Sequence, residues 1–200
     1  MAETQVPPAP EGAEDLGKQG IDVLVHTLHD GADPAVRRYA AYLLGNAKTP
    51  QAIRPLIEAL GDMDKSVREQ AMLALVATGK AATEPLAAAV NDPRWETRYR
   101  AVEALGKLAD EKALKPLVQG LRDNRDHVRY MAAKGLKGLG DSTAIDPLII
   151  LLKDENRLVR LMAVRSLSVI GGEKVTTALK EALSTEIDET VREEIAGALK

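Results

Sequence analysis

The sequence predicts an all-α protein, a right-handed α-solenoid (α-α superhelix) of six helix pairs. Three observations predict it. Six arginines, Arg37, Arg68, Arg98, Arg129, Arg160 and Arg192, recur at steps of 31, 30, 31, 31 and 32 residues. A fixed period in this range marks stacked repeats that contact only their neighbours. Counted from each Arg, apolar residues fall at −1, +3 and +7, and four-residue spacing keeps them on one helical stripe. Aromatics make up only 2% of the chain, with no Phe, so the core must be built from Leu, Ile, Val and Ala.

Along the chain, residues 1–18 hold Pro7, Pro8, Pro10, Gly12 and Gly17 with almost no aliphatic side chains. Such a segment buries too little surface to offset its ordering entropy, so an acidic, Pro-rich, disordered tail is expected. Residues 19–200 are expected to form one domain, with repeats of about 19–48, 49–79, 80–109, 110–140, 141–171 and 172–200. The first helices are expected over roughly 20–29, 50–61, 81–91, 111–122, 142–153 and 173–184. The second helices follow over roughly 34–46, 64–77, 95–107, 126–138, 157–169 and 188–199.

Each column has a physical reading. The −1 column is Val36, Val67, Val128, Val159 and Val191, with Thr97 as the exception. The +3 column is Ala40, Ala71, Ala101, Ala132 and Ala163, with Ile195 in the last repeat. Small side chains there let helices approach closely, so larger ones should overpack. The +7 column is Leu44, Leu75, Leu105, Leu136, Leu167 and Leu199. The first helices carry Pro55, Pro85, Pro116 and Pro147, each expected to remove a backbone hydrogen bond and bend the axis. Asp110 and Asp141 stand where N-caps are expected, and Gly79, Gly140 and Gly171 where second helices should end.

The segment Pro55-Leu56-Ile57-Glu58-Ala59-Leu60, followed by Asp62 and Val67-Arg68, resembles a HEAT repeat. So does Pro116-Leu117-Val118, followed by Asp123, Val128-Arg129 and Leu136. The short period is similar to the phycocyanobilin-lyase (PBS lyase) type of HEAT-like repeat and to designed consensus repeat proteins of that pattern. The resemblance covers about residues 20–200. It implies an armadillo-like helical scaffold whose second helices line a concave surface; such arrays serve mostly as binding scaffolds with unrelated partners.

Asp62, Asp92, Asp123 and Asp154 precede their arginines by six residues, and Glu186 takes that place in the last repeat. In the first repeat Asp30 is displaced by an insertion near Gly31. An Asp in an interhelical turn can accept from backbone amides and from the Arg of its own or the adjacent repeat, a geometry suited to the guanidinium fork. These columns therefore read as fold determinants.

The functional signal lies in what does not repeat. At 100° per residue, +1, +2, +5 and +9 lie opposite the core columns. The four tyrosines and the single tryptophan all sit on second helices, outside the core columns. The expected ridge comprises Tyr39, Tyr42, Trp95, Tyr99, Arg100, Tyr130, Met131, Lys134, Leu161, Met162 and Arg165. Tyr, Trp, Met and Arg are the types enriched at protein interfaces, so the ridge is expected to bind a protein or peptide partner. Basic residues concentrate in repeats three to five, with acidic Glu193 and Glu194 at the end.

No catalytic residue, cofactor or metal site is expected. There is no Cys, which excludes disulfides and thiolate chemistry. His26 and His29 stand i, i+3 on an expected first helix, where an exposed, solvated face outweighs metal ligation. HEAT-like deoxyhypusine hydroxylases hold iron through His-Glu pairs, and the chain has no His-Glu dipeptide. Two alternatives come from the resemblance: a bilin lyase-like subunit or chaperone of a chromophore protein, and a DNA-binding HEAT-like protein. The net charge of −3 is carried by residues 1–20, where Glu3, Glu11, Glu14 and Asp15 face Lys18. The body is thus balanced, which argues against nucleic acid. No apolar run suits a membrane and no signal peptide is evident, so a cytoplasmic protein is expected. A monomer is expected, with self-association through the terminal repeats left open.

Overall fold

The helical period predicted from the arginines is realised throughout the computed structural model, which describes residues 8–200. The described residues form helices and turns, with no strand among them. They form an α-solenoid of helix pairs and divide into two compact halves, Met1–Ala104 and Leu105–Lys200.

In the first half lie α1 (Ile21–Asp30), α2 (Pro34–Ala47), α3 (Pro50–Ala59), α4 (Lys65–Thr78), α5 (Thr83–Ala89) and most of α6 (Trp95–Leu108). α2 packs on α4, α1 on α3, and α1 and α3 on their own second helices, α2 and α4. In the second half, α7 (Leu114–Gly120), α8 (Asp126–Leu139), α9 (Ile145–Ile150), α10 (Arg157–Ile170), α11 (Glu173–Thr185) and α12 (Glu189–Ala198) repeat the scheme, with α8 on α10 and α10 on α12.

The core columns are where the stripe puts them. Val67, Ala71, Leu75, Thr97, Ala101, Leu105, Val128, Ala132, Leu136, Ala163 and Leu167 have no exposure. Only the columns' ends, Val36 and Leu199, are half-buried.

Of the expected tail, residues 1–7 lie outside the described residues. From Pro10 onward the chain folds on itself: Ala13 N–H donates to the Pro10 carbonyl and Leu16 N–H to that of Ala13, both at 3.0 Å. Leu16–Lys18 form a 3-10 turn, and Ala13 is buried. A composition argument misses such local hydrogen bonds.

The proline column behaves differently from the expected mid-helix kink. Pro55 is interior to α3. Pro85, Pro116 and Pro147 are the third residues of α5, α7 and α9, each preceded by a 3-10 turn. There the missing N–H falls in the first turn, where donors lack intrahelical partners anyway. Asp110 and Asp141 cap those 3-10 turns, accepting from Lys112 N–H at 3.2 Å and Thr143 N–H at 2.8 Å.

The Asp–Arg ladder joins adjacent repeats. Arg37 donates through Nε and Nη2 to both Asp62 carboxylate oxygens at 2.8 and 2.9 Å, and through Nη1 to its own turn at Gly31 O, 2.8 Å. Arg129 does the same to Asp154, at 2.7 and 2.9 Å, and Arg160 to Glu186, at 2.8 and 2.9 Å. Arg68 differs: it holds the Asp62 and Met63 carbonyls, at 2.6 and 2.9 Å. The next acid, Asp92, is taken by Arg94 through Nε and Nη2, both at 3.0 Å.

Candidate functional site

Second helices are flanked by other second helices, and this widens their buried arc beyond the stripe set by their own first helices. The +2 column shows the consequence. Arg100, Met131 and Met162, expected on the outer ridge, are 9%, 8% and 6% exposed. These three are corrections to the sequence reading: +2 faces the neighbouring helix. Ser166, at +6, documents the contact, donating to the Ala133 carbonyl of α8 at 2.8 Å.

In the first half, Tyr39, Tyr42, Trp95 and Tyr99 are half-buried. Tyr39 and Tyr42 stack, ring centres 6.2 Å apart and 18° from parallel. Trp95 meets Tyr99 edge-on, 6.5 Å between centres. The Arg100 guanidinium lies 5.3 Å from the Tyr99 ring centre and donates to Glu103 at 2.7 Å, so cation–π attraction and an ion pair satisfy this buried charge. The rings therefore form two small amphipathic clusters, each partly exposed.

In the second half, Tyr130 and Leu161 are half-buried, and Lys134 and Arg165 are exposed. Arg165 donates to Glu194 at 2.8 Å. The most exposed large apolar side chains are elsewhere: Met63 at 96% and Ile187 at 91%, both in interhelical turns. The expected apolar strip is thus a half-buried amphipathic surface.

The first-helix side of the first half holds a feature the sequence reading did not assemble. His26, His29, Asp30, Glu58, Asp62 and Arg94 line an open cleft of about 570 Å³. His26 and His29 both reach Asp30, at 2.9 and 2.7 Å. The Asp30 bond raises the His29 pKa above its ordinary value and His29 in turn lowers that of Asp30. The His spacing was a legible signal; Glu58 and Arg94 come from later repeats, and no period announces them. No group of His, Cys, Asp and Glu placed to hold a metal occurs among the described residues.

The family model for HEAT repeats matches residues 21–86, 79–137 and 115–200. The chain belongs to the HEAT-repeat family. Among solved structures, the complex of CpcE and CpcF of phycocyanin lyase from Nostoc sp. PCC7120 is similar at 26% identity and a TM-score of 0.68, over 74% of this chain and 98% of that one. A designed armadillo repeat protein in complex with the peptide (KR)4 shares the fold at 22% identity and a TM-score of 0.59, over 90% and 98%. Human deoxyhypusine hydroxylase in complex with glycerol matches at 25% identity and a TM-score of 0.52, over 90% and 72%. No curated protein matches the sequence. Within this HEAT-repeat chain, no helix among the described residues is long and apolar enough to cross a membrane.

Proposed function

We propose that this HEAT-repeat protein is a non-enzymatic scaffold that binds a protein or peptide on the outward side of its second helices. The observation that carries the reading is that every tyrosine and the tryptophan sits on a second helix outside the core columns and keeps part of its surface exposed. Such rings give large contact area at low entropic cost and supply most interface hot spots. The test compares capture of partners from the native source by the wild type and by a Tyr99→Ala/Tyr130→Ala variant. Partners should be lost while the melting temperature changes little. Leu105→Ala, a fully buried truncation, should instead cost about 2–5 kcal/mol. Tyrosine changes that unfold the protein as severely would make these rings core.

A second reading, a bilin lyase-like subunit, is favoured by the likeness to the phycocyanin lyase complex. Failure to bind a bilin, or to transfer one to an acceptor protein, would dispose of it.

A further inference from the structure

The second half carries a group of cations with no internal counterion. Gly106 and Gly135 bring the end of α6 against α8: a Cβ on Gly106 would lie 2.8 Å from the Gly135 Cα. One on Gly138 would lie 3.9 Å from the Gly106 carbonyl oxygen. Lys107, Lys134 and Lys137 are the sequence neighbours of these three glycines, so the close approach of the two helices gathers three cations in one region of the surface. All three are exposed, and none has an acidic partner among the described residues. The nearby Arg165, by contrast, is paired with Glu194. Tyr130 lies one turn before Lys134 on the same face of α8 and is half-buried. Three like charges gathered at one crossing raise the local positive potential and attract an anionic partner.

We propose that this patch docks an acidic protein segment, with carboxylates on Lys107, Lys134 and Lys137 and an apolar side chain against Tyr130. A short acidic protein segment fits better than nucleic acid, because it can end before α12, whose Glu193 and Glu194 would repel a polyanion that ran on along that side. The proposal rests on the reading of the second-helix side as a binding surface and adds the chemistry of the partner.

The test is binding of a labelled oligoglutamate peptide carrying one leucine, followed by fluorescence anisotropy at low and physiological salt. The wild type should bind, more weakly as salt rises. The Lys107→Gln/Lys134→Gln/Lys137→Gln variant should bind about tenfold or more weakly and should melt no lower than the wild type, since it removes only exposed like charges. Unchanged affinity in the variant, or no binding at low salt, overturns the proposal. Lysine-dependent binding of duplex DNA in place of the peptide also overturns it. Oligoglutamate binding that survives while the tyrosine variant captures every wild-type partner would remove the aromatic reading alone. Lysine-independent partner capture would remove this inference alone.

Discussion

At the residue scale, the backbone conformation just after the second helices is set by position more than by residue type. Gly140 and Gly171 adopt φ of 66° and 72°, and the equivalent Ala109 is held at 48°. Alanine in the left-handed region is strained by its Cβ, and glycine is not. Ala109→Gly should therefore stabilise by about 0.5–1 kcal/mol, after the greater entropy of glycine in the unfolded chain is set against the relief. Urea denaturation checks this, and a loss of stability would refute it. Thr97 offers a second test. Its hydroxyl is fully buried and lends some support to the Asp92 carboxylate, but makes no formed hydrogen bond. Thr97→Val, which restores the column residue, should be neutral or stabilising by about 1 kcal/mol. Both positions were legible as departures from the period. The burial of Arg100, Met131 and Met162 was not, because a single helix's stripe does not report its neighbours.

At the element scale, packing between second helices decides the sign of a glycine substitution. Gly45 in α2 is buried, and a Cβ there would lie 2.7 Å from both the Cα and the Cβ of Ala74 in α4. Gly197 in α12 has nothing within 4 Å. Alanine is the better helix former at both sites by about 1 kcal/mol. Gly197→Ala should realise that gain. Gly45→Ala should instead lose about 1–3 kcal/mol, because backbone has to move. Paired thermal melts separate the two outcomes, and equal gains would show that α2 and α4 do not close on each other. Second-helix boundaries were legible to within a residue or two, since each begins after its turn acid and all but α12 end at a residue of positive φ. The short α5, α7 and α9 were not, since their 3-10 turns depend on hydrogen bonds that periodicity does not encode.

At the scale of the whole molecule, the ladder makes stability depend on acid. Burial pushes the Asp62 carboxyl up, but the Arg37 fork and the Asp64 amide outweigh it and hold the group below its ordinary value. Glu186 shows the same balance with Arg160. A lowered carboxyl contributes stability that is present above its unfolded value, near 4, and lost as pH falls through the lower folded value. The melting temperature should be flat above about pH 5 and fall below about pH 4. Asp62→Asn should shrink that fall, and an unchanged acid slope would mean the pair does not contribute. By itself, the sequence determined the fold class, the core columns, the caps at Asp110 and Asp141, and the arginine ladder, because each depends on spacing along one helix or one turn. Only the tertiary structure decided which acid each arginine takes, which +2 side chains are covered, and that the glycines beside Lys107, Lys134 and Lys137 form a close crossing. Those outcomes depend on the distance between helices, and a period measured along one chain does not contain it.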